Sequence, residues 1–300
     1  MAKISESDER YISTLVEKGG PSPNEYGELN NFFKKLGIQV KTGKITRGEI
    51  NSELWGLLGD ACSQKTMQGI VARKPHGYAG DFETIDKIYM KWVSPEPHLK
   101  KWDYYFHSHS AAKAVRNRKR YFIDLIQKFR ASLPKNLKVL SAGSGSARDV
   151  YELFSINAQN GISFECVDMD RNAVAFSKNL CKEHSQNINF SCSNIFRYMP
   201  NYLFGLIWSA GLFDYLDDKR FVFLLKRLYN MVGIGGQLVI GNFSEFNPSR
   251  DYMEAGDWFL HHRGKDKLMA LAQRSGIHKS NVQIRSEPEK VNLFMHLHRR

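Results

Sequence analysis

One short stretch decides which chemistry this sequence can support. In Val139-Leu-Ser-Ala-Gly-Ser-Gly-Ser-Ala-Arg-Asp149, Gly143 and Gly145 separate an apolar run from a helix-like segment. Without Cβ atoms these glycines let backbone come close to a ligand. The start of a helix adds free N–H groups and a positive dipole end. A second apolar run, residues 162–167, ends in Asp168-Met169-Asp170. A carboxylate after the second strand of such a unit accepts hydrogen bonds from both hydroxyls of a ribose, a role that suits Asp168 first and Asp170 second. Together the turn and the acid describe a nucleoside-binding crevice.

The turn does not have the dinucleotide form. G-x-G-x-x-G needs a third glycine where Arg148 stands, so the helix could not pack as closely on its strand. The pattern is instead G-x-G-x-A, ending at Ala147. Over about residues 135–300 the chain resembles the class I S-adenosylmethionine-dependent methyltransferases. The resemblance implies a Rossmann-like, seven-stranded α/β sheet with an antiparallel C-terminal hairpin, and S-adenosylmethionine as cofactor. It implies Asp168 as the ribose acceptor, beside Met169. Asn194 takes the position that reads the adenine amine, with Ile195 and Phe196 packing on the ring. Ser209, Ala210 and Gly211 line the methyl-transfer side. The chain departs from the family at Ser141, where an acid often anchors the methionine end of the cofactor. Arg148 or Arg116 is the expected substitute, and Arg116 belongs to a basic helical run, Arg116-Asn-Arg118-Lys-Arg120.

Four further stretches narrow the resemblance from about Arg73 onward: Lys74-Pro-His-Gly-Tyr-Ala-Gly-Asp81, Ala114-Val-Arg-Asn-Arg118, Trp208-Ser-Ala-Gly-Leu-Phe-Asp-Tyr-Leu216 and Tyr252-Met-Glu-Ala-Gly-Asp-Trp258. These are similar to bacterial methyltransferases that make 3-hydroxy fatty acid methyl esters (3-hydroxypalmitate among them), extracellular signals. A small-molecule carboxylate is then the expected acceptor. Tyr78 and His76 are candidates to hold its oxygens, and Lys74 to pair with it. Phe213, Asp214, Tyr215, Trp258 and His262 are candidates to face or close over it, with Phe259 and Leu260 as channel walls. Asp81 reads equally as the N-cap of the next helix, Phe213 as core, and Glu254 as a base, an ion-pair partner of Arg263 or part of a solvated helix face.

The elements around these residues follow from periodicity. Apolar residues at helical spacing mark residues 6–18, 24–35, 47–64, 82–90 and 110–131 as helices. Ser132-Leu-Pro134 closes the last of them. Strands are expected at 138–141, 162–167, 188–191, 206–209 and 237–241, with helices near 147–154, 172–183 and 219–231 between them. Residues 281–285 and 291–298 read as the closing hairpin. The expected organisation is an N-terminal helical cap over 1–134 and a cofactor-binding domain over 135–300.

Composition sets the limits. Three hundred residues, 42% hydrophobic, suffice for a buried core, and no apolar run is long enough to span a bilayer. The N-terminus has no apolar signal segment. The four cysteines form no C-x-x-C pair and read as reduced thiols of a cytoplasmic protein. The histidine pairs 107/109, 261/262 and 296/298 lack the carboxylate or cysteine pattern of a closed metal site, so no metal is expected. A net charge of +12 keeps an RNA or protein methyltransferase in play. The basic residues are spread along the chain with no recognisable nucleic-acid module, so nucleic acid is not the favoured partner. Ser141 leaves room for a cofactor-binding regulator without turnover. Oligomeric state is not legible.

Overall fold

Amphipathic helices with well-formed starts build the first part of the chain. The computed structural model describes residues 4–132, 136–156 and 161–300. Helices α1 (Glu6–Glu17), α2 (Tyr26–Lys41), α3 (Arg47–Leu58), α4 (Met67–Arg73), α5 (Phe82–Met90) and α6 (Lys100–Ser108) precede the long α7 (Ser110–Ser132). Side chains of Ser5, Thr66 and Asp81 accept from the first-turn amides of α1, α4 and α5, and Thr46 and Glu49 form a capping box on α3. The expected helix over 47–64 stops at Leu58, because Gly59 takes φ +52° and the chain continues as a 3-10 turn. Helices α4 and α6 are not predicted by periodicity: each is short, and α4 is apolar on almost every side, so the pattern is a weak signal there.

Helices α1 to α6 and the first residues of α7 belong to one of two compact units, Met1–Lys113 together with Pro248–Phe259. Its core holds Ile12, Leu15, Leu29, Phe32, Phe33, Leu54, Trp102 and Tyr105. The late segment contributes α11 (Arg250–Ala255). There the Tyr252 ring meets Phe33 edge-on at 4.9 Å, lies parallel to His109 at 4.1 Å, and donates its hydroxyl to Gln68 Oε1 at 3.0 Å.

The second unit is Ala114–Asn247 with Leu260–Arg300. The compact units thus divide the chain at 113/114 rather than at 134/135, and the segment 248–259 leaves the α/β region to join the helices. The expected helix stop at Leu133-Pro134 lies outside the described residues.

Strands β1 (Leu137–Ala142), β2 (Ile162–Asp168), β3 (Ile188–Cys192), β4 (Phe204–Ser209), β5 (Val232–Phe243), β6 (Val282–Ser286) and β7 (Asn292–His298) form one sheet in the order 3-2-1-4-5-7-6. The first five run parallel, while β7 is antiparallel to both β5 and β6. This is the expected class: a seven-stranded α/β sheet with an antiparallel closing hairpin. Helices α8 (Arg148–Ile156), α9 (Arg171–Leu180), α10 (Asp218–Asn230) and α12 (Lys265–Arg274) complete the unit. Successive β1 residues face opposite ways, and both faces are covered. Leu140 and Ala142 join a core with Phe213, Phe221 and Leu224, and Val139 joins one with Phe122, Val150 and Trp208. Strand order reverses between β1 and β4, so the crevice at their carboxyl ends is where such a sheet takes a ligand. Among the described residues, no helix is long and apolar enough to cross a membrane.

Candidate functional site

The glycine turn after β1 is held by its neighbour strand. Gly143 N–H and Ser144 N–H both donate to Val167 O, at 2.9 and 3.2 Å. Gly143 has φ +70°, and a Cβ there would stand 3.3 Å from the Leu212 side chain, so glycine is needed for both conformation and space. Ala147 also sits at positive φ, +51°, and is buried. The Ser144 hydroxyl is buried and has no hydrogen-bond partner among the described residues. Such an orphan is costly unless a ligand or solvent satisfies it.

Asp168, at the end of β2, clasps this turn. Its Oδ2 accepts from Gly145 N at 2.8 Å and its Oδ1 from Asp170 N at 3.0 Å. Burial pushes its pKa above the usual carboxylate range, against the two amides that stabilise the charge. The Asp170 carboxylate serves the fold, capping α9 through Asn172 N at 2.8 Å. Met169 stands in the open, 72% exposed. Asn194 forms an Asx turn, accepting from Phe196 N at 2.9 Å. Its Oδ1 keeps one lone pair, and its amide group remains a donor. Ile195 is buried beside it, and the half-buried Phe196 lies parallel to Phe223 with centroids 6.1 Å apart.

Across the crevice the Ser209 hydroxyl is spent on Ala142 O at 2.8 Å, tying β4 to β1. Ala210 O accepts from Arg118 Nη1 at 2.6 Å. A Cβ on Gly211 would stand 3.2 Å from that same nitrogen, so the glycine makes room for the guanidinium. Arg118 is 5% exposed, whereas Arg116, the residue expected here, is only half-buried on the same helix. Sequence reasoning includes Arg118 in the basic run but singles out Arg116, although a signal for Arg118 is present: Ala114, Arg118, Phe122 and Ile126 recur every four residues, and all are buried.

Two buried carboxylates share the Arg118 charge. Asp149 is held above the normal carboxylate pKa by burial, opposed by its own helix amide at Val150, by Arg118 and by the Trp208 indole. Asp214 is pushed up to about 6 by burial, with Phe243 N, Arg118 and Arg263 opposing. Asp149 also supplies a buried acid near the turn where Ser141 does not; Ser141 itself is buried in β1.

Several residues expected to face an acceptor have other roles. Asp214 accepts from Phe243 N at 2.6 Å, and its own carbonyl accepts from His261 N, so it ties loops together and is 2% exposed. Phe213 is fully buried edge-on against Phe221. His262 bonds Asn247 Nδ2 at 3.0 Å and Leu260 O at 3.1 Å. Tyr215, by contrast, is exposed.

The remaining candidates lie in the helical unit. His76 Nε2 is 2.9 Å from Glu83 Oε2, and the ring rests on Phe82. Lys87 first and His76 second hold the Glu83 carboxyl below its ordinary range. Lys74 is paired with Asp257. Tyr78 is 41% exposed, and Trp258 is buried. Asp81 is the cap of α5, through Thr84 N at 2.8 Å. Glu254 pairs with Arg250 and Arg47, not with Arg263, which instead reaches Asp218 at 3.2 Å.

The chain is similar over 99% of its length to a solved structure from Bordetella parapertussis described as a possible exported protein, with 16% identity, 99% of that chain covered and a TM-score of 0.66. It is also similar, over 88% of its length and 77% of the other chain, to the apo form of the S-adenosylmethionine-dependent methyltransferase SibL, with 11% identity and a TM-score of 0.50. These likenesses establish the fold. No family model and no curated protein matches the chain.

Proposed function

We propose that the chain is an S-adenosylmethionine-dependent methyltransferase acting on an oxygen of a small-molecule carboxylate, with a hydroxy fatty acid as the fitting acceptor. The observation that carries this reading is the clasp of Asp168 on the glycine turn beside the unpartnered Ser144 hydroxyl. The residues fit the cofactor's chemistry. Asp168 is to receive the ribose hydroxyls, and Ile195 and Phe196 to pack on adenine. Asn194 is to read the ring edge, and Arg118 to meet the carboxylate of the methionine end, the part assigned to Arg116 from sequence.

Bound S-adenosylmethionine supplies a methyl group on a cationic sulfur. A free carboxylic acid is ionised at neutral pH, with a pKa of about 4–5, so no strong base is required. That suits a chain whose His76 is tied to Glu83 and whose Asp214 is tied to backbone. The protein's part is alignment and exclusion of water. Tyr215, exposed at the end of the β4 loop, is the candidate to orient the acceptor oxygen. The four free cysteines suit the reducing cytoplasm.

The test is calorimetric titration with S-adenosylmethionine, S-adenosylhomocysteine and NADH, on the wild type and on Asp168→Ala. Binding of the two sulfur ligands, weakened at least about tenfold in the variant, is the expected result. No binding, or preference for NADH, overturns the reading. Binding without methyl transfer to any 3-hydroxy fatty acid would leave a cofactor-binding regulator or another acceptor class.

A further inference from the structure

On the α/β unit, the outer side of α10 and the loop before β4 form a surface that the proposed activity does not use. Met199, Pro200, Tyr202, Leu203, Val222 and Phe223 line a shallow depression of about 710 Å3. Its apolar residues stand out into solvent: Met199 is 81% exposed, Leu203 58% and Phe223 56%. At the start of β5, Ile234 is also 79% exposed. Isolated exposed apolar residues need no explanation, but a contiguous group does.

The rim is cationic. Lys219, Lys226, Arg227 and Arg274 line the same depression, and no carboxylate does. Lys138 stands 4.0 Å over the Tyr202 ring, whose hydroxyl donates to the buried Glu165 at 3.4 Å. The two acids at the start of α10 have partners: Asp217 caps the helix, and Asp218 is held by Lys267 and Arg263, with Arg274 at 4.0 Å. Lys219 and Lys226 have no carboxylate partner among the described residues. Nε of Arg227 is buried and unpartnered, while Nη2 donates to Tyr198 O.

We propose that this face docks on an anionic lipid bilayer. A bilayer surface offers an apolar phase and negative charge in one plane, matching exposed Met199, Leu203 and Phe223 beside long basic side chains that can reach headgroups. An acidic amphipathic helix would instead seek apolar residues recessed in a trench. Here the depression is shallow, and its apolar residues lie largely exposed on the 199–203 loop and α10. The net charge of +12 adds a long-range attraction.

The experiment is flotation of the full chain with vesicles of phosphatidylcholine alone and of phosphatidylcholine mixed with phosphatidylglycerol. Binding to the anionic vesicles only, weakening with added salt, is expected. Each cation at such a surface is worth about fivefold, so the pair Lys219→Glu and Lys226→Glu should lower binding at least about 25-fold. The pair Met199→Glu and Leu203→Glu should abolish it while every cation remains. All four residues are on the surface, and unchanged melting temperatures will show that the fold is kept. The charge pair keeps the test decisive if the apolar pair melts early. No binding to anionic vesicles, equal binding to neutral ones, or binding that survives the substitutions overturns the proposal. So does a lipid-free dimer broken by the apolar pair, which would assign the face to a second copy of the chain. Capture of an acidic amphipathic peptide without vesicle binding would assign it to a protein.

Discussion

At the scale of single residues, the most informative groups are buried charges and polar atoms without the usual partners. Arg118 serves Asp149 and Asp214 together, so Arg118→Met leaves two buried carboxylates facing no shared cation. A loss of about 3–5 kcal/mol is expected by urea unfolding at pH 8. Without the cation both carboxyl pKa values rise further, so the loss should shrink toward pH 5, where the acids can take up protons. His109 behaves oppositely. Burial drives its pKa down to about 3, its Nε2 has no partner among the described residues, and its ring lies on Tyr252. A histidine held neutral in the fold costs stability as pH falls below about 6.5, by about 1.4 kcal/mol per pH unit, because the unfolded chain binds the proton. His109→Phe keeps the stack and removes that slope. The variant should therefore gain roughly 2 kcal/mol on the wild type between about pH 7.5 and pH 5, read as the difference between two unfolding series. Taking differences cancels the similar slope of His296, also driven to about 3, and the opposing slopes of Asp103 and Asp214, both raised to about 6.

At the scale of elements, the strand-turn-helix unit of β1 and α8 depends on one backbone conformation. Gly143→Ala places a Cβ at φ +70° and against Leu212. Unfolding should show a cost of about 1–2 kcal/mol. S-adenosylmethionine titration should show weaker binding than that cost alone accounts for, because the same Cβ narrows the turn where backbone meets ligand. A stability loss with affinity unchanged would make the turn purely structural.

At the scale of the whole molecule, connectivity matters more than order along the chain. The helical unit is discontinuous and takes up Pro248–Phe259, whose Met253 and Trp258 are buried and whose Tyr252 ring packs on Phe33. A fragment spanning 114–300 therefore carries Met253 and Trp258 with nothing to cover them and should aggregate. The same fragment with 248–259 replaced by a glycine-serine linker should stay soluble, since its sheet is covered on both faces by its own helices. Sedimentation of the two fragments side by side decides this.

Much of this is legible in the sequence because it rests on local physics. Strand and helix periodicity, the glycine turn, the acid after β2 and the closing hairpin are written in short windows, and a parallel sheet buried on both faces announces itself by alternating elements. Helix α5 follows the same rule, with Asp81 as its cap. What the sequence could not determine depends on which distant residues share one buried space. Asp214 and Phe213 read as ligand-facing by their place after β4, yet the fold spends one on Phe243 N and packs the other on Phe221. Arg118 outranks Arg116 only because its side of α7 is the buried side that meets Ala210 and Gly211. The segment 248–259 has the composition of a loop, and only packing against Phe33 and His109 assigns it to the helical unit. Hydrogen bonding and burial across the fold are satisfied globally, so the roles of buried polar groups belong to the tertiary structure, while backbone conformation and periodicity belong to the sequence.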